Sequence, residues 1–187
     1  DILDDIKSSG LMFTDDTNIF RTITSKDYPE DLQQDLKSLV QWSTKWSLEF
    51  NYEKCHILTL GKFENIRHTY RYKIYDIELE HVYTEKDLGV TIDENLNFAE
   101  HISTKIRIAN AIVGQIRSSF TFLDGPTFKR LYTAFVRPHL EYAQSAWSPY
   151  LLKYVNMLEN VQIRATRLVD GIGDLEYEER LRKLDLP

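Results

Sequence analysis

The sequence predicts an α+β protein: an acidic first half of short strands around one helix, then a basic, all-helical second half. Three observations carry this. Up to about residue 95, apolar residues form short runs bounded by turn residues. From Phe98 they recur every three to four positions, the helical period. The charge changes sign at the same place: residues 1–97 carry 11 Lys and Arg against 19 Asp and Glu, and residues 98–170 carry 9 against 5.

Residues 10–14 and 17–24 read as two strands of a hairpin, with Asp15 and Asp16 at its tight turn. Pro29-Glu30-Asp31 opens a helix over 29–47, with acids where the helix dipole favours them. Leu32, Leu36, Leu39, Val40 and Trp46 give it an apolar stripe, predicted to pack on the hairpin. Cys55–Leu60, residues 70–79 and Leu88–Ile92 follow as strands, so the unit is expected to be antiparallel with one packed helix. A boundary is predicted near 95–97. Beyond it, one helix starts at Phe98 and ends before Asp124-Gly125-Pro126. A second starts near Phe128 and is kinked or interrupted at Pro138, and a third runs from Leu151 to Val169, before Gly171 and Gly173.

Composition excludes several classes. The 187 residues are 42% hydrophobic, which suits one or two small cores. Cys55 is the single cysteine, so there is no internal disulfide and no Cys-rich zinc site. His56, His68, His81, His101 and His139 lack ligand spacing. No apolar run reaches the ~18 residues of a membrane span. The acidic start, Asp1-Ile2-Leu3-Asp4-Asp5, is unlike a secretory signal, and without an initiator Met it reads as a piece of a longer protein. A reducing intracellular compartment, nuclear or cytoplasmic, is expected.

Two adjacent acids at a hairpin tip repel each other, and neither has a basic neighbour in sequence. A divalent cation removes that conflict, since carboxylate oxygens suit Mg2+. Asp-rich turns also form for purely local reasons, because Asp bonds nearby backbone groups.

Other segments add to the hairpin. Phe13-Thr14-Asp15-Asp16-Thr17-Asn18-Ile19 is followed in order by Leu32-Gln33-Gln34-Asp35-Leu36, Trp42-Ser43, Trp46 and Phe50-Asn51 before Lys54-Cys55. Lys86-Asp87-Leu88-Gly89-Val90, His101-Ile102, Val136-Arg137-Pro138, Leu140-Glu141-Tyr142-Ala143 and Trp147-Ser148-Pro149 come next. Val161-Gln162, Arg164-Ala165-Thr166-Arg167 and Glu179-Arg180-Leu181 close the series. Taken together, and over essentially the whole chain, they resemble the reverse transcriptases of non-LTR retrotransposons, the jockey-like branch of the LINE class.

The resemblance implies a fold and roles. Residues 1–97 would be the C-terminal part of a polymerase palm and 98–187 a helical thumb and connection region. Asp15 and Asp16 match the metal-binding palm aspartates, for a two-ion Mg2+ site. The family's third carboxylate sits on a strand N-terminal to this hairpin. Only fourteen residues precede Asp15, so that strand and the fingers are expected to lie outside this chain, which alone should not polymerise. Thr14 stands where the family usually has alanine. The parent enzyme would join dNTPs to a DNA primer 3′ end on an RNA template, with an endonuclease domain possible in the same polypeptide. Lys54 matches a palm lysine able to protonate departing pyrophosphate; it also reads as a solvated lysine opening a strand. Leu88 and Gly89 match the strand that guides the primer end; Gly89 also reads as a bend glycine. Lys105, Arg107, Arg117, Lys129, Arg130, Arg164 and Arg167 are candidates for phosphate contact, or simply the wet face of a bundle. A non-catalytic nucleic-acid-binding module and an inactive element relic stay open beside the polymerase.

Overall fold

The computed structural model describes residues 2–23, 28–61 and 70–187. The chain is mixed α and β and divides into two compact units, residues 1–85 and 86–187. The division falls ahead of the predicted 95–97 because the strands around Leu88 belong with the helices. Periodicity marks where helix begins, not where packing separates.

In the first unit, β1 (Ser9–Phe13) and β2 (Asp16–Phe20) pair antiparallel, with Met12 opposite Thr17 and Phe13 opposite Asp16. Strand β2 ends at Phe20, short of the predicted extent, whose last residue lies outside the described residues. Helix α1 spans Tyr28–Trp46, and a single 3-10 turn at Tyr52–Lys54 leads into β3 (His56–Leu58). β4 (Lys73–Ile74) and β5 (Ile77–Glu78) pair antiparallel. β6 (Glu80–Val82) pairs parallel with β3, His56 opposite Glu80, which corrects the wholly antiparallel expectation. Parallel pairing needs a long connection rather than a local turn, so no hairpin signal announces it.

The core of this unit corrects a second expectation. Leu36 and Leu39 of α1 bury against Ile2, Tyr72, Ile74 and Leu79, and Ile19 is the hairpin residue packed on that cluster. The stripe of α1 therefore faces the 70–79 region rather than the hairpin sheet. Trp46 is 59% exposed, and the buried position near it belongs to Ser43, whose hydroxyl bonds the Tyr75 hydroxyl. Gln33 clamps β4 by donating to the Lys73 carbonyl at 2.9 Å and accepting from the Lys73 amide at 2.8 Å.

The second unit begins within β7 (Thr84–Asp87), whose partner is β8 (Val90–Asp93). The Asp93 carboxylate accepts from the amides of Asn95, Asn97 and Phe98 and so turns the chain into α2 (Ala99–Ser119). Asp124 caps α3 (Gly125–Leu131), accepting from Thr127 N–H at 2.9 Å. The helix then runs on through a π segment, Tyr132–Val136, into α4 (Arg137–Glu141). Pro138 thus begins α4 instead of breaking a helix, because the Arg137 amide reaches back five residues to the Tyr132 carbonyl. Helix α5 (Gln144–Trp147) and helix α7 (Tyr177–Leu184) flank α6 (Leu152–Thr166). The larger core joins α2, α3, α6 and α7 through Val113, Phe128, Val136, Val161 and Leu184; a smaller one gathers Val90, Ile102, Trp147 and Tyr154.

Candidate functional site

The hairpin tip is a two-residue turn, Thr14-Asp15, so the adjacent acids differ in setting. Asp15 sits on the turn. Asp16 is the first residue of β2 and shares its strand position with Phe13. Thr14 has φ +54°, a left-handed conformation that a β-branched residue rarely adopts. In it the Thr14 hydroxyl donates to Asp15 Oδ1 at 2.8 Å. That bond, a backbone amide and the charge of Lys54 hold the exposed Asp15 carboxyl below its ordinary range. Asp15 and Lys54, far apart in sequence, thus lie close enough for one charge to act on the other. Lys54 itself is exposed at the end of the 3-10 turn.

The base of the hairpin is fixed by a residue that pattern reading passed over. Asp35 of α1 is 2% exposed and accepts from the amides of Lys7 and Ser8, each at 2.9 Å, and from the Ser8 hydroxyl. Arg21, just beyond β2, donates to Asp31 at 2.6 Å and lies 3.8 Å from Asp35. Both ends of the hairpin are therefore tied to α1, while Leu11, Met12, Phe13 and Phe20 stay exposed.

Two exposed carboxylates suit Mg2+ in one respect. The ion keeps several waters and usually takes one or two protein carboxylates together with substrate phosphates. Among the described residues no group of three or more His, Cys, Asp or Glu side chains gathers as a metal cage.

In the second unit, Leu88 (φ +43°) and Gly89 (φ +82°) form a two-residue turn between β7 and β8 with both residues left-handed. The Tyr142 hydroxyl donates to the Leu88 carbonyl at 2.9 Å, and a Cβ at Gly89 would stand 3.3 Å from the Tyr142 ring. Lys105 Nζ lies 5.6 Å from the same ring's centre. Three predicted contact residues, Leu88, Gly89 and Lys105, thus meet around Tyr142, which the sequence reading did not single out.

The remaining basic candidates separate. Lys129 is paired with Asp185 at 2.7 Å. Arg130 is exposed, and its charge acts on Asp124. Arg107 and Arg117 are exposed on α2, Arg164 on α6 and Arg167 just after it. Cys55 is half-buried, and burial pushes its thiol pKa up. Among the described residues, no helix is long and apolar enough to cross a membrane.

No family model and no solved structure matches the chain. Over 144 residues it is 26% identical to the RNA-directed DNA polymerase from mobile element jockey of Drosophila funebris; the match covers 75% of this chain and 15% of that protein. The chain therefore spans only a small part of its relative's length, and by sequence it is similar to a mobile-element polymerase.

Proposed function

We propose that the chain is part of a LINE-type reverse transcriptase: the end of a palm, carrying Asp15 and Asp16, followed by a thumb. The observation that supports this most is the tight-turn hairpin with both acids exposed at its tip, in a chain similar to the jockey polymerase. The substrates would be dNTPs, a DNA primer end and an RNA template.

In this reading Asp15 and Asp16 hold Mg2+ together with the triphosphate. Bound there, the ions would neutralise charge on the transferring phosphate. The chain's own contribution is positional. Asp35 and Arg21 fix the hairpin against α1, and the Thr14 hydroxyl donates to the Asp15 carboxylate and helps hold its pKa below the ordinary range. Lys54, whose charge acts on Asp15, would be the proton donor to pyrophosphate, as an amine beside the phosphates can be. The Leu88–Gly89 turn, braced by Tyr142, would receive the primer end.

A Mn2+ titration in the presence of a dNTP, followed by amide NMR, tests the metal role. Paramagnetic broadening should begin at residues 13–17 and be lost in Asp15→Asn/Asp16→Asn. Uniform broadening, or broadening unchanged in the double variant, overturns it. Because the described residues supply two clustered carboxylates, no nucleotide incorporation is expected from the 187-residue chain alone.

A further inference from the structure

We propose that Thr14 is a positioning residue for the cation: its hydroxyl aims the Asp15 carboxylate, and that task keeps a β-branched residue at a turn position suited to glycine. This rests on the metal reading above and adds to it a residue that an acid pair alone does not imply. Pairing of Phe13 with Asp16 leaves Thr14 and Asp15 as the whole turn. Of these two, Thr14 alone has a positive φ, +54°. Two-residue hairpin turns with only the first residue left-handed ordinarily carry glycine there. In that region Cβ crowds the following carbonyl oxygen, and branching at Cβ narrows the choice of rotamer further. Packing does not account for the threonine, because Thr14 is exposed, as are Phe13, Asp15 and Asp16 around it.

What the side chain does is donate one hydrogen bond, to Asp15 Oδ1 at 2.8 Å. A hydroxyl that served the turn itself would bond the backbone; this one bonds a side-chain oxygen. Among the described residues Thr14 is the one side-chain donor to Asp15, and Lys54 acts on that carboxylate by its charge without a hydrogen bond. Branching helps the task, since a β-branched side chain has few χ1 states and holds its hydroxyl toward the carboxylate. A hydroxyl has one proton to donate. Given to Oδ1, it leaves Oδ2 with no side-chain donor among the described residues. One oxygen is anchored and the other stays open to a cation, which is how hydrogen-bonded neighbours orient carboxylate ligands.

The test is a Mn2+ titration in the presence of dATP, read as amide broadening at residues 13–17, in the wild type and three variants. Thr14→Val keeps the branching without the hydroxyl, Thr14→Gly removes strain and hydroxyl together, and Thr14→Ser keeps the hydroxyl without the branching. Removing a hydrogen-bond partner of a metal ligand costs about 10–100-fold in affinity, and an exposed hairpin belongs at the lower end, so the valine and glycine variants should raise the Mn2+ midpoint about tenfold. Thr14→Ser should stay within about threefold of the wild type. Nuclear Overhauser contacts between the Hα atoms of the strand partners Met12 and Thr17 establish that the hairpin survives in each variant. Thr14→Gly should also unfold at a urea concentration no lower than the wild type does, which separates its weaker binding from any loss of fold. A wild-type Mn2+ midpoint in the valine and glycine variants, or tighter binding in either, overturns the role of the hydroxyl and leaves the metal reading standing. So does a loss in Thr14→Ser equal to that in Thr14→Val. A lower urea midpoint in Thr14→Gly overturns the claim that the position suits glycine. Absence of selective broadening at residues 13–17 in the wild type overturns the metal reading and this proposal with it.

Discussion

Asp35→Ala should release the hairpin from the helix that holds it. The carboxylate is 2% exposed and receives the amides of Lys7 and Ser8 and the Ser8 hydroxyl. A hydrogen bond to a charged group contributes about 1.5–3 kcal/mol. Lys7 is exposed, so its amide recovers water when the acceptor is lost. Ser8 is buried, so its amide and hydroxyl do not. Arg21, 3.8 Å away, loses one of its two carboxylates. Two stranded donors and a weakened cation give about 3–5 kcal/mol, the range for breaking a buried charged network. That is a large share of the stability of a small domain, about 5–15 kcal/mol. With a urea m-value of about 2 kcal/mol/M, the midpoint should fall by about 2 M. The indole signals of Trp42 and Trp46, both on α1, follow this unit through the titration. Asp35→Asn keeps the shape and one acceptor and should lose less. A midpoint shift below about 0.5 M in Asp35→Ala would refute the assignment of Asp35 as the anchor.

Two other outcomes follow from the second unit. Gly89→Ala places a Cβ 3.3 Å from the Tyr142 ring on a backbone at φ +82°, and should cost about 1–2 kcal/mol in chemical unfolding; no loss would mean the turn is not left-handed. His101 is 2% exposed, its Nδ1 accepts from the Thr91 amide at 3.2 Å, and burial with the nearby Lys105 charge lowers its pKa below the ordinary 6.5. Below pH 6.5 the unfolded chain binds the proton before the folded one does, so stability is full above that pH and declines as pH falls toward the folded value. His101→Gln should remove this decline from stability-versus-pH curves; an unchanged decline would place its origin elsewhere.

Much of the local structure was legible because its signals are local. The hairpin shows as two apolar runs around a two-residue polar turn, and α1 and α2 show as long stripes at the helical period. β6 and β7, Glu80-His81-Val82 and Thr84-Glu85-Lys86-Asp87, lack alternation because both are short and mostly polar, and β6 gains its place only by pairing with distant β3. α7 has Tyr177, Leu181 and Leu184 at helical spacing, but a stripe of two turns is too short to stand out. In the candidate site, Asp15 and Asp16 were visible as chemistry, whereas Asp35 was not. A signal for it did exist: Asp35 falls three residues after Leu32 and four before Leu39, inside the apolar stripe, where an acid demands buried donors. Tyr142 gave no signal, since a tyrosine after a proline-led helix announces no distant carbonyl to bond.

The π segment at Tyr132–Val136 gives Pro138 an evolutionary companion. One residue more than ordinary winding needs is stored just ahead of the ring. Deleting any one of those five residues would restore regular turns but press the ring against the carbonyl four residues back, at a cost of about 3 kcal/mol. Replacing Pro138 without the deletion leaves a widened turn with nothing to accommodate. Insertion and proline are therefore expected to be inherited as a pair, and chains that lack one should lack the other.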